Sequence, residues 1–259
     1  MRHWIERIGA VAVSATHFAG GTLILFLQTL AAVLRPPFRG KQLIEQMAKI
    51  GVNSLLIVTL TNFFIGVVIA LQSAYQMKKV SAEIYIPSLV AISICREIGP
   101  IITALVVAGR IGASIAAELG SMKVTEQVDA LETLAANPVK YLVAPRFLAL
   151  VMMLPLLTVY ADVVGIAGGY VVSVYKLGLS SGLYIKMTFL PLELKDIFTG
   201  LFKTVVFAVL ICIISCYEGL RVEGGAEGVG AAPTRAVVQS FILIIMSDAF
   251  FTIVFYFLG

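Results

Sequence analysis

The chain has 259 residues, of which 59% are hydrophobic and 13% are charged. Soluble domains carry about 25% charged residues, so this composition excludes an ordinary soluble enzyme and indicates an integral membrane protein. The net charge of +4 comes from Lys and Arg scattered near the ends of apolar runs, not clustered with aromatic residues as on a nucleic-acid surface. At about 20 apolar residues per span, the chain has room for one membrane domain with five or six helices.

The first apolar segment, residues 8–34, contains no Asp, Glu, Lys or Arg and is long enough to span. Polar residues and glycines interrupt it, and basic residues flank both of its ends, so the positive-inside rule favours neither orientation. An interfacial or re-entrant helix fits this symmetry best. We therefore predict that it does not cross the membrane, and its length argues against a cleavable signal peptide.

Five long apolar runs follow, and each is predicted to cross the membrane as a helix: residues 53–77, 84–109, 143–175, 197–217 and 236–258. Most Lys and Arg then lie on one face, which places the N-terminus in the cytoplasm and the C-terminus on the far side. The expected fold is an all-α integral membrane protein with five transmembrane helices, an N-terminal interfacial helix and one cytoplasmic helix. We expect a single transmembrane domain over residues 1–259, with an interfacial and cytoplasmic region at 1–50 and the five-span bundle at 51–259.

Among the charged residues inside these apolar runs, four are candidates for a functional site: Arg96, Glu97, Lys203 and Asp248. A charged side chain at a helix centre costs roughly 3 kcal/mol, so such residues face a cavity or each other. We expect the four to converge on one polar region. A neutralising network that holds the helices together and a cavity for a polar headgroup are both open interpretations, and both can hold at once.

The second run also contains Gly99 and Pro100. Proline lacks an N–H and its ring clashes with the carbonyl four residues earlier, here that of Arg96, so a kink is predicted beside the charged pair. Arg96 and Glu97 are adjacent and point about 100° apart on a helix, so we expect them to contact different neighbours.

The segment between the second and third runs predicts a short amphipathic helix outside the membrane. Its apolar residues recur at helical spacing: Val124, Val128, Leu131 and Ala135. Its acidic residues fall on another face: Glu126, Asp129 and Glu132. A helix lying on lipid headgroups is the alternative, but an acidic face suits an anionic surface poorly, so docking on a protein partner is favoured.

Small residues recur at every fourth position from Ala104 to Gly120, and again at Gly165 and Gly169. Such stripes let helix backbones approach closely, either within one subunit or at a dimer seam. The sequence has no Gly-x-x-x-x-Gly-Lys-Ser/Thr phosphate loop, so we expect a subunit that does not hydrolyse ATP. Its three cysteines lie in apolar runs, and we expect no metal site and no cofactor.

Several short motifs carry a specific resemblance: residues 96–100 (Arg-Glu-Ile-Gly-Pro), 108–112 (Ala-Gly-Arg-Ile-Gly), 117–120 (Ala-Glu-Leu-Gly) with Met122, 125–127 (Thr-Glu-Gln) and 145–146 (Pro-Arg). In this order they resemble the MlaE permease family, also called YrbE, which supplies the membrane subunits of MCE-type ABC lipid transporters. The similarity runs from about residue 46 to the C-terminus. The N-terminal segment matches only in general character.

The resemblance implies a multi-pass permease of the bacterial inner membrane that works as a homodimer with separate ATPase subunits. It also implies a periplasmic ring of MCE lipid-binding subunits, a STAS-domain subunit in many systems, and phospholipid as the cargo. The helix at 124–135 is similar to the coupling helix that docks on the ATPase. The implied coupling residues are Glu118, Gly120, Thr125, Glu126, Gln127 and Asp129.

Two other functions are open at this point. A self-contained secondary transporter or channel would carry protons on Glu97 and Asp248, although five spans without a detectable inverted repeat argue against most such folds. A structural anchor for the MCE ring ranks last, because it would need no charged residues inside its helices.

Overall fold

The computed structural model describes residues 2–34 and 40–258, and in those residues it contains helices and turns without a strand. The all-α expectation is confirmed. The helices of the described chain are α1 (Arg2–Val33), α2 (Gly40–Ile50), α3 (Leu55–Lys78), α4 (Ile86–Ser93), α5 (Gly99–Val107), α6 (Ala113–Val124), α7 (Gln127–Thr133), α8 (Ala144–Tyr175), α9 (Ser181–Phe189), α10 (Leu194–Leu220) and α11 (Ala226–Leu258).

Within the described residues, six helical stretches are long and apolar enough to cross a membrane: Thr16–Val33, Gly40–Lys78, Glu83–Val124, Val139–Tyr175, Leu194–Leu220 and Ala226–Phe257. The last five match the five predicted spans, except that residue 258 of the fifth lies just beyond the last stretch. The first is α1, which qualifies by length and composition, so its interfacial placement remains a prediction.

The second span is a composite rod in which π-helical turns at Ile94–Ile98 and Ala108–Gly112 join α4, α5 and α6. The first π turn ends next to Pro100, and the Gly99 N–H closes it on the carbonyl of Ile94. The predicted kink stays a prediction, but the helix does have an irregularity at this position. It takes the form of a π turn, which widens the helix just before the proline.

Close backbone contacts at glycines hold the bundle together. The α3 and α8 backbones touch where Gly66 meets the carbonyl of Gly165 and Gly168 meets that of Phe63, and a Cβ at Gly66 or Gly168 would overlap these atoms. On the second span, Gly112 packs against Ser215. The small-residue stripes therefore serve packing within one subunit, the first of the two interpretations.

The contacts that the described side chains of α1 make lie at one end of the bundle, which we call the α7 end because it carries α7, the start of α8 and the end of α10. Its Phe18 ring meets Tyr217 of α10 edge to face, and its Phe26 ring lies 6.3 Å from that of Phe147 in α8. These two α1 residues are about 12 Å apart along the helix, yet both contact the ends of spans. Helix α1 therefore lies across the bundle end.

Candidate functional site

A buried lysine gathers two carboxylates in the middle of the bundle. The Lys203 residue is 1% exposed, and its Nζ lies 2.6 Å from Glu97 Oε2 and 3.1 Å from Asp248 Oδ1. It also donates a hydrogen bond of 2.8 Å to the hydroxyl of Thr252, which in turn donates to Glu97 at 3.0 Å. We call these four residues the Lys203 cluster. In this cluster, the Lys203 ammonium lies within ion-pair distance of two carboxylates.

Three spans supply the Lys203 cluster. The π turn Ile94–Ile98 carries Glu97, α10 carries Lys203, and α11 carries Asp248 and Thr252 one turn apart. One turn from Lys203, Gly200 packs so tightly on the carbonyl of Cys95 that a Cβ would overlap it. This approach brings the lysine-bearing face of α10 against the π turn. The cluster thus depends on close packing of backbone, not only on attraction between charges.

The fourth charge, Arg96, does not join the Lys203 cluster. Its Nε lies 3.5 Å from Oδ1 of Asp196, in the first turn of α10, and its side chain is 45% exposed. Adjacent residues on a helical turn point in different directions, which separates Arg96 from Glu97 as expected. The structure therefore brings three of the four predicted charges together and places Arg96 in a separate, half-exposed ion pair.

Another charged residue inside the apolar runs, Asp162 of α8, is not among the candidates taken from the sequence. It is 8% exposed, and its Oδ1 has no hydrogen-bond partner in the described chain. This oxygen lies against Gly99, where an added Cβ would overlap it. The signal that marks Asp162 is the same one that marks Lys203, a charge inside an apolar run. Asp196, the partner of Arg96, was not predicted from the sequence either. It lies in a capping box with Glu193 at the start of α10.

The exposed segment at the α7 end differs from the single helix predicted for 124–135. Helix α6 continues to Val124, and the chain then turns at Glu126, whose φ of 59° is left-handed, before the short α7 begins. Val128 is buried at 5% exposure and anchors α7 to the bundle. Helical periodicity continued on both sides of this break, so the pattern could not reveal it.

The predicted coupling residues divide into two groups. An exposed group lies at the turn and the first residues of α7: Thr125, Glu126 and Gln127. The Asp129 carboxylate is half-exposed and accepts a 2.7 Å hydrogen bond from Lys123, which ties α7 to the end of α6. These residues form a polar surface at the α7 end.

The other two, Glu118 and Gly120, belong to the long rod: the Glu118 side chain is 38% exposed, and Gly120 is buried. The Glu118 carboxylate lies 2.9 Å from Lys49 Nζ and 3.0 Å from Nη2 of Arg146, which is itself 5% exposed. The Gly120 backbone packs against Val222, and a Cβ there would lie 2.9 Å from its Cγ2. These contacts link α6 to α2, to α8 and to the segment that follows α10, so they position the exposed segment.

Comparison with known proteins gives the family. A sequence model described as Permease MlaE matches residues 43–254, most of the chain. The chain belongs to the MlaE permease family.

Relatives in several organisms support this membership. The chain is 48% identical over 223 residues to a probable ABC transporter permease protein of Rickettsia typhi, covering 86% of each chain. It is 45% identical over 249 residues to one of Rickettsia bellii, covering 96% of each. It is also 35% identical over 221 residues to the chloroplastic protein TRIGALACTOSYLDIACYLGLYCEROL 1 of Arabidopsis thaliana, covering 85% of this chain and 63% of that one.

Membership in the MlaE family makes the chain a permease subunit of an ABC-type transporter, a multi-pass membrane component and not an enzyme. An ABC permease works with an ATPase partner. The six apolar helices agree with this role.

Proposed function

We propose that this chain is the permease of an MCE-type phospholipid transporter in the bacterial inner membrane. It passes phospholipid between that membrane and a periplasmic MCE lipid carrier, and a separate ATPase supplies the energy. The observation that carries the proposal is the Lys203 cluster, an ionic group to which three spans contribute. Its Lys203 side chain is 2% exposed, and its Glu97 side chain is 36% exposed. Charge placed at this depth is costly unless it serves a polar pathway or holds the helices together.

Beside the Lys203 cluster, the Arg96–Asp196 pair is suited to contact a phosphate. The Arg96 guanidinium is half-exposed and held by one ion pair of 3.5 Å, so its remaining N–H groups can bind two phosphate oxygens at once. The Asp196 carboxylate would hold the arginine when no lipid is bound, which keeps binding reversible. We therefore expect Arg96→Ala to weaken phospholipid copurification, and Glu97→Gln or Asp248→Asn to impair transport more than membrane insertion.

The exposed turn and α7 form the proposed contact with the ATPase. Thr125, Glu126 and Gln127 are exposed, while Val128 and the Lys123–Asp129 pair attach the segment to the bundle and to the end of α6. A push on α7 would therefore reach the end of the second span, which carries the π turns and Glu97. In this proposal the π turns let that rod shift without unfolding.

A homodimer is part of the same proposal. Helix α11 has a row of exposed apolar side chains at helical spacing: Ile242, Ile245, Met246, Phe250 and Ile253. A second copy or lipid covers such a face in a membrane. We propose that two copies meet through spans of this kind, with the MCE ring on the far side and, in some systems, a STAS-domain subunit in the cytoplasm.

Helix α1 is proposed to lie in the cytoplasmic interface. It crosses the α7 end of the bundle, and it leaves a leucine stripe exposed at helical spacing: Leu23, Leu27, Leu30 and Leu34. Such a stripe suits the boundary between headgroups and acyl chains. With α1 in this position, five helices span and the C-terminus lies in the periplasm.

Purification of the complex in mild detergent, with identification of its subunits and lipids, tests the proposal. We expect an ATPase, an MCE subunit and phospholipid to accompany the wild-type chain, and less phospholipid to accompany Arg96→Ala. A matched control is Lys195→Gln, which removes an exposed cation from the same end of α10. A chain that purifies without an ATPase and moves solute in response to a proton gradient would favour the secondary transporter instead.

A further inference from the structure

A second amphipathic site lies at the opposite end of α10 from the Arg96–Asp196 pair. Helix α1 and the last turn of α10 form the walls of an open groove with a volume of about 360 Å³. Its apolar wall contains Ile24 and Leu25 of α1 and Leu220 of α10. Its polar rim contains Lys123, Arg221 and Glu223. One wall thus suits an acyl chain, and the rim suits a charged group.

The two cations on the rim are not equally engaged. The Lys123 ammonium is held by Asp129 at 2.7 Å, whereas Arg221 forms no ion pair among the described residues. Its Nη1 donates a 3.2 Å hydrogen bond to the Tyr217 hydroxyl, and its guanidinium carbon lies 5.8 Å from the centre of that ring. The tyrosine holds the guanidinium at the groove without neutralising its charge. Arg221 is therefore directed by Tyr217 and has N–H donors left for an anion.

The place of this groove in the bundle favours a lipid over a soluble anion. It lies at the ends of the spans, beside the exposed leucine stripe of α1, which is the level where phospholipid headgroups meet acyl chains. A free phosphate would use the arginine and leave Ile24, which is 58% exposed, uncovered. A phospholipid satisfies both the cations and the apolar wall.

We propose that this groove binds a glycerophospholipid of the cytoplasmic leaflet, with its phosphate on Arg221 and Lys123 and one acyl chain along Ile24 and Leu220. This site is separate from the proposed transport path, because Leu220 lies about 26 Å along α10 from Lys203. Lys123 immediately precedes the turn into α7. A lipid bound here joins α1, α10 and the coupling segment, so it would set the position of α7 before the ATPase acts on it.

The test is photo-crosslinking of the assembled complex in phosphatidylcholine nanodiscs. The probe is phosphatidylglycerol with a diazirine in one acyl chain, and mass spectrometry locates the labelled peptides. We expect labelling in the peptides that contain Ile24 and Leu220, and a fall of about tenfold in Arg221→Gln, the effect of losing one charge-assisted contact. The Lys123→Gln variant should also lose labelling. The matched control is Lys41→Gln, an exposed cation of α2 outside the groove, which should label like wild type.

Two further arms separate the sources of the anion. Diacylglycerol with the same diazirine chain should not label the groove, because it lacks the phosphate. Excess glycerol phosphate should not compete with the lipid probe. Equal labelling in Arg221→Gln and wild type, efficient labelling by diacylglycerol, or protection of the groove by another subunit would overturn the proposal. So would competition by soluble phosphate.

This inference shares the interfacial placement of α1 with the proposed function but does not depend on the transported cargo. Phospholipid transfer and groove labelling are measured on the same samples. Transfer that persists while wild-type labelling is absent refutes the groove alone. Labelling that persists while wild-type transfer is absent refutes the transport proposal alone.

Discussion

Replacing Lys203 with methionine should destabilise the bundle more than neutralising the whole ionic group. The lysine side chain is 2% exposed and the Asp248 side chain 15%, so Lys203→Met leaves a mostly buried carboxylate without its cation. Breaking a buried ion pair in this way costs about 3–5 kcal/mol. Because the Glu97 side chain is 36% exposed, only Asp248 is left as a mostly buried carboxylate, and we expect the lower end of this range, about 3 kcal/mol.

The informative comparison is with the triple variant Lys203→Met, Glu97→Gln, Asp248→Asn. This variant removes both orphaned carboxylates, so it should regain most of the loss and fall within about 1–2 kcal/mol of wild type. Free energies of unfolding are measured by titrating denaturant into detergent-solubilised protein. The matched control, Lys195→Met on the same helix, removes an exposed lysine and should change stability by less than about 0.5 kcal/mol.

Two results would refute this reasoning. If Lys203→Met is as stable as wild type, the lysine is not the centre of a buried ionic group. If the triple variant is as unstable as the single one, the loss comes from packing around the lysine stem and not from unpaired charge.

The remaining predictions concern a helix contact, the coupling surface and topology. Gly99→Ala should lower the melting temperature of the protein, because the added Cβ would overlap Asp162 Oδ1. The control is Gly182→Ala at an exposed glycine with no atom within 4 Å of the added Cβ, and it should leave the melting temperature unchanged. Equal melting temperatures for the two variants would contradict the close packing at Gly99. Replacing both Glu126 and Asp129 with Lys reverses two charges on the proposed docking surface. The double variant should detach the ATPase or uncouple its ATP hydrolysis from transport while the permease stays folded. An unchanged complex with unchanged transport would exclude α7 as the docking element. A cysteine at position 4 should resist an impermeant thiol reagent in intact cells, since periplasmic labelling there would contradict a cytoplasmic N-terminus.

The sequence predicts the membrane bundle well because lipid imposes a simple rule. Apolar runs long enough to span must form helices, and charges inside them must find partners. Lys203, Glu97 and Asp248 follow from that rule, and the structure places them within ion-pair distance. The rule does not say which partner each charge takes. That is why the Arg96–Asp196 pair appeared only with the packing of α10 against the second span.

The segments outside the membrane were harder to predict. Apolar residues recur at helical spacing throughout 124–135, but the helix breaks at Glu126. Its φ is in the left-handed region, which favours glycine, so the sequence contains no signal for the break. Between the third and fourth predicted spans, the sequence pattern did not predict α9, whose Tyr184 is 2% exposed and donates to the Ile166 carbonyl at 3.0 Å. Such details depend on tertiary contacts that local propensity does not encode.

Phospholipid transport can be measured directly in proteoliposomes that contain the permease with its ATPase and MCE subunits. Labelled phospholipid is followed between the liposome membrane and the MCE carrier, with and without ATP, and with and without a proton ionophore. If the chain is an ATP-driven phospholipid permease, transfer requires ATP, is unaffected by the ionophore, and falls in Glu97→Gln and Asp248→Asn while Lys195→Gln retains it. Transfer that continues without ATP and collapses with the ionophore would contradict this proposal.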